Sequence, residues 1–142
     1  MIPINELNFE LDILGADFKE KFMRSEMLTS ILSDLNGTSA EIEASAVIST
    51  DGLMIAALLP SSMDEDRVGA MSAAMLSLGE RTAGELARGE LEQVLVKGDL
   101  GYILMTHANN DSVLTVVAKP NARLGLIFLD VKRAAEAIGK IL

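Results

Sequence analysis

Few side chains in this sequence are equipped for chemistry. His107 is the only histidine and cysteine is absent, so a nucleophile–histidine–acid set has no support in local spacing. His107 ends a strand-like run beside a turn, where a structural role outweighs that of a base. Asp64-Glu65-Asp66 offers the hard oxygens a divalent cation takes, but successive helical residues point apart, and acids at a helix start serve its positive end. Arg67, Arg81 and Arg88 are candidates to reach a partner's phosphates; ion pairing on a helix surface explains them more simply. No G-x-x-x-x-G-K-S/T occurs, and no G-x-G-x-x-G follows a strand. Gly98 and Gly101 sit in a strand–strand turn, without a helix N-terminus to hold phosphate. No catalytic residue, cofactor or metal ligand is assigned, which favours macromolecular binding over catalysis.

Composition narrows the class further. The chain has 142 residues, a net charge of −9 and 49% hydrophobic residues, which fits one domain with a real core and excludes a disordered chain. The acidic balance argues against nucleic acid, whose binding needs clustered Lys and Arg. The charge is uneven: residues 63–92 hold seven acids and three bases, residues 121–142 four bases and two acids. Such a surface steers toward basic partner patches, although a merely solvated face is the simpler account. No uncharged stretch reaches the roughly 18 apolar residues of a membrane span. The N-terminus carries acids where a signal peptide would carry bases. A cytoplasmic protein is the simplest reading.

The elements follow from punctuation and periodicity. Residues 1–23 fit no single period and read as an extension, partly helical and docked on the domain. Ser25 is a plausible N-cap for a helix with Leu28, Ile31, Leu32 and Leu35 on one face, stopped by Asn36-Gly37. "SAVISTDGLMIAALLP" reads as a hairpin, residues 42–49 and 52–59, turning at Gly52 and ended by Pro60. "SSMDEDRV" opens a long helix, capped by Ser62 or Asp64 and running to about Arg88. "ELEQVLVK", "YILMTH" and "SVLTVVA" are three strands, and Pro120-Asn121 opens a last helix with Leu124, Ile127, Phe128, Val131, Ala135, Ile138 and Leu142 in one stripe. The expected fold is α/β: a five-stranded, mainly antiparallel sheet between helices in three layers.

The middle helix has two greasy sides. Val68, Met71, Met75, Leu78 and Leu86 form a stripe of large residues. Gly69, Ala73, Ser77, Gly84 and Ala87 form one of small residues, with Leu76 at its edge and Glu80 its one charge. A helix apolar around most of its circumference is buried on more than one side. The large stripe is expected on the sheet and the small stripe on a second copy, a two-fold contact allowing close backbone approach. The free edge of "ELEQVLVK" is expected to pair with its own copy.

Residues 24–142 resemble the roadblock (dynein light chain) family, in its MglB-like bacterial branch. The segments that carry the likeness are "SAVISTDGL", "AMSAAMLSLGER", "ELEQVLVKGDLGYILM" and "RLGLIFLDVKRAAEAIGKIL". The resemblance implies a non-enzymatic homodimeric regulator or scaffold that binds a small Ras-like GTPase in prokaryotic signalling. It also implies paired middle helices and paired third strands, with dimer contacts at Gly69, Ala73, Leu76, Ser77, Glu80, Leu91, Gln93, Leu95 and Lys97. The alternatives are a self-assembly module without a GTPase, or a small-molecule sensor.

Overall fold

The computed structural model describes residues 3–142; residues 1 and 2 of the expected extension lie outside the described residues. Helices α1 (Ile4–Leu14) and α2 (Ala16–Thr38) precede strands β1 (Ile42–Ser49) and β2 (Met54–Leu58). Helix α3 (Glu65–Glu85) leads to β3 (Val94–Gly98), β4 (Gly101–Asn109) and β5 (Ser112–Ala118), and α4 (Leu124–Ile141) follows. The strands form one sheet in the order β2-β1-β5-β4-β3. Every neighbouring pair is antiparallel.

The alternation of strand side chains builds two unequal cores. On one face, Val47, Leu104, Leu114 and Val116 meet Leu28, Leu32 and Leu35 of α2 and Ile127, Val131 and Ile138 of α4. On the other, Ala46, Ile48, Met105 and Val113 meet Leu76 of α3. Two helices therefore cover one face and a single helix the other, the expected three layers. β5 lies in the middle of the sheet and is buried almost throughout, as expected of a strand covered on both faces.

Three helix ends differ from the sequence expectation; one is the stop expected at Asn36-Gly37, which α2 runs through to Thr38 without Gly37 taking a positive φ. Ser25 does not cap anything: α2 begins at Ala16 and runs through it, and the Ser25 carbonyl accepts a bond from Thr29 Oγ1 at 3.0 Å. No glycine or proline stands between Ala16 and Ser25 to stop the helix, so the first breaker, Gly15, sets the boundary. The break placed between residues 23 and 24 consequently falls inside one continuous helix. Asp64 does cap α3, its Oδ2 accepting from the Arg67 N–H at 3.1 Å. The helix stops at Glu85 rather than near Arg88, because the backbone leaves through positive φ at Ala87 (56°) and Gly89 (86°).

Glu41 ties the sheet to α4. Its Oε2 accepts from the Arg123 backbone N–H at 2.9 Å and its Oε1 from the Arg123 guanidinium at 3.0 Å. The backbone bond is the main influence holding this carboxyl below the usual glutamate range; partial desolvation opposes it, and the guanidinium adds a hydrogen bond and charge. A carboxylate with a lowered folded-state pKa stabilises the fold above the ordinary glutamate range, about pH 4.3. That contribution fades as pH falls through the lowered value. Thermal melts of the wild type and Glu41→Gln between about pH 3 and pH 7 should differ most at the neutral end and converge in acid. A gap independent of pH would contradict this assignment.

Candidate functional site

α3 meets the sheet through Gly69, Ser72 and Leu76, with Val68 and Met75 beside them. Gly69 is buried, and a side chain there would run into the carbonyl oxygen of Gly52 in the β1–β2 turn. That turn needs Gly52, whose φ is +90°. One turn along, Ser72 and Thr115 share a buried hydrogen bond of 2.9 Å, so neither hydroxyl is left unsatisfied. Leu76, only 2% exposed, sits among Ala46, Ile48, Met105 and Val113. Gly79 packs on Leu91 and Val94. Glu80 then reaches His107, with Oε1 to Nε2 2.6 Å, while His107 Nδ1 lies 3.1 Å from the Asn109 carbonyl oxygen. His107 is thus a clasp between α3 and β4.

The division between the two stripes differs from the sequence expectation: Val68 and Met75 of the large stripe pack on the sheet core as expected, but so does part of the small one. Gly69, Ala73, Leu76 and Glu80, expected against a second copy, lie toward the chain's own sheet, with Ala73 beside Gly52. Of the helix positions assigned to that contact, Ser77 faces out, and Glu80 is exposed although its carboxylate reaches back to His107. Gly69 and Ser72 let the helix approach closely, while Val68, Met75 and Leu76 fill the layer together with Ile48, Met105 and Val113. Three of the five large residues turn outward. Met71 is 53% and Leu78 59% exposed, Leu86 is open, and Met75 is half-buried at the flank. Arg81 lies on this side, 3.0 Å from Glu85.

The strand positions divide similarly. Leu91 is half-buried under Gly79, whereas Gln93, Leu95 and Lys97 are exposed on or beside β3. β3 is an edge strand, paired only with β4. Beside it, on the α3 face, the helix leaves the far end of the sheet uncovered. An open apolar cleft of about 220 Å³ lies there, with Val96, Leu100, Ile103 and Val117 in its walls. Sequence reasoning missed Leu100, which is 88% exposed; its place in a turn next to Gly101 was the available signal. Among the described residues no cluster of three histidine or acidic side chains could hold a metal, and no helix is long and apolar enough to cross a membrane.

Comparison with known proteins fits this architecture. The Roadblock/LC7 domain matches residues 28–118. The chain belongs to the Roadblock/LC7 family. Two uncharacterised proteins of the archaeon Methanocaldococcus jannaschii are 43% and 42% identical over 112 residues, covering 79% of this chain and 96% of each relative. Among solved structures, MglB of Myxococcus xanthus superposes with a TM-score of 0.76 at 18% identity, covering 82% of this chain and 87% of its own. The gliding protein MglB of Thermus thermophilus gives 0.73 at 19% identity, covering 83% and 90%. At those identities the likeness is one of fold. The roadblock resemblance and the α/β fold read from the sequence are both upheld.

The close seat of α3 is open to a direct check. Gly69→Ala should destabilise the fold by about 1–3 kcal/mol, since the neighbour is turn backbone rather than a yielding side chain. Gly84→Ala lies on the same helix with open space around it, and should stabilise by about 0.5–1 kcal/mol. Urea denaturation of both variants reads the difference. Equal effects would mean that α3 does not ride on Gly52.

Proposed function

We propose that this roadblock domain is a non-enzymatic, homodimeric platform that binds a small Ras-like GTPase. The observation that carries the reading is the outward stripe of α3: Met71 and Leu78 stand in solvent on a helix whose other side is already filled. Contiguous exposed apolar surface marks a protein contact more often than an idle one. Family membership supplies the kind of partner. The acidic first turn of α3, Glu65 and Asp66, adds a negative rim that would attract a basic surface on that partner.

A second copy fits the same face. β3 offers an unpaired edge, and antiparallel pairing of two such edges about a two-fold axis would place the covered end of one sheet beside the uncovered end of the other. Each α3 would then flank the apolar cleft at Val96, Ile103 and Val117 of its neighbour. The dimer contact assigned here is therefore Met71, Met75 and Leu78 on α3 and Leu86 at its C-terminal cap, with Leu95 and Lys97 on the β3 edge. Binding a mobile switch segment of the GTPase in one of its states would alter nucleotide turnover through differential affinity, with no catalytic group from this chain.

Light scattering should give twice the chain mass of 15.2 kDa for the wild type, and a single chain for Met71→Glu/Leu78→Glu, with helix content retained. Titrated with the Ras-like GTPase of the same organism carrying a fluorescent GTP analogue, the wild type should bind with Kd on the order of 10 μM or tighter, and the double variant should not. A monomeric wild type would sink the dimer. Absence of binding together with unchanged GTP turnover would sink the GTPase reading.

A further inference from the structure

Two exposed stripes, one on the N-terminal helix and one on the C-terminal helix, take no part in the fold or in the platform. On α1, Glu6, Phe9, Glu10 and Ile13 are all exposed, with Phe9 at 67% and Ile13 at 70%. At 100° per residue they occupy about a third of the helix circumference. Among the described residues α1 touches no element other than α2, so this stripe points away from its one neighbour. On α4, Leu126, Leu129 and Arg133 are exposed on the side opposite the buried Ile127, Val131 and Ile138.

We infer that α1 of one copy packs antiparallel along the outer face of α4 of a second copy. The spacings match. Going back along α1, Ile13, Phe9 and Glu6 are separated by four and three residues; going forward along α4, Leu126, Leu129 and Arg133 are separated by three and four. Each stripe covers two turns, about 10.5 Å. An antiparallel contact therefore sets Ile13 against Leu126, Phe9 against Leu129 and Glu6 against Arg133, two apolar pairs ended by an ion pair.

Charge selects this occupant over the other apolar surfaces of the chain. α1 carries Glu6, Glu10 and Asp12 and no base. The outer stripe of α3 begins beside Asp64, Glu65 and Asp66 and would repel it, as would an anionic membrane surface. α4 offers Lys132, Arg133 and Lys140 against Asp130 and Glu136. Both stripes are exposed within one copy, so the contact forms between copies. Because α1 and α4 differ, the contact is head-to-tail and extends an assembly instead of closing it as a two-fold pair. Two short helices bury less than a standard interface of about 1,600 Å², so the association is weak for one contact and gains from avidity when several form together. It lies away from α3 and is independent of the proposed dimer.

Sedimentation velocity of the full chain over a range of concentrations tests this. At about 0.05 M salt the mean mass should climb above that of the basal species, and at about 0.5 M it should fall back, because screening weakens the exposed ion pair. Glu6→Arg and Arg133→Glu should each hold the mass at the basal value, and the combined Glu6→Arg/Arg133→Glu chain should regain the larger species. Phe9→Ser/Ile13→Ser should abolish it without restoration by salt. Identical masses for the wild type and both single variants, or a combined variant no larger than either, would overturn the inference. A basal species of one chain would bear on the platform, while the rise above it would still report this contact.

Discussion

How near a helix can lie to a sheet depends on the side chains between them, and the structure rests on how α3 meets this limit. Gly69 over the Gly52 carbonyl, Ser72 bonded to Thr115, and Leu76 in the middle bring the helix close along one line. Large strand residues fill the layer and small helix residues leave room for them. Leu76, Val68 and Met75 take the space that is left, and Met71 and Leu78 stand on the far side. The exposed apolar stripe of Met71 and Leu78 is thus a consequence of the helix's own packing.

The same constraint makes the two faces of the sheet unequal. α2 and α4 bury one face with a run of leucine, isoleucine and valine, whereas α3 alone covers the other. The uncovered end of that face lies next to the edge strand β3 and carries an apolar cleft. Edge strands in monomeric proteins are usually blunted by charge, proline or a covering element. β3 has Lys97 alone among its five residues. A cleft, an open edge and an apolar helix face gathered on one side favour a domain completed by other molecules.

Much of this was legible in the sequence. The hairpin turn at Gly52, the cap at Asp64, the apolar stripe of α4 and the order of strands all have local causes, and they stand where those causes put them. The start of α2 was not legible from Ser25, since a good capping residue does nothing where the chain behind it also favours helix. The orientation of α3 was not legible either. Periodicity separates the stripe of Met71, Met75 and Leu78 from that of Gly69, Ala73 and Leu76, but says nothing of which one the sheet has space for. That depends on Ile48, Met105 and Val113, residues from three strands whose registry only the folded sheet defines. The role of His107 as a clasp to Glu80 was equally invisible, because the two are 27 positions apart.

The most direct measurement is hydrogen–deuterium exchange of the β3 amides in the full-length protein, read against β5 across a dilution series. If the open side of the sheet is completed by a second copy, the amides of Val94 to Gly98 are protected nearly as well as those of the central strand at high concentration, and lose that protection on dilution while β5 keeps its own. Rapid exchange along β3 at every concentration would contradict the account.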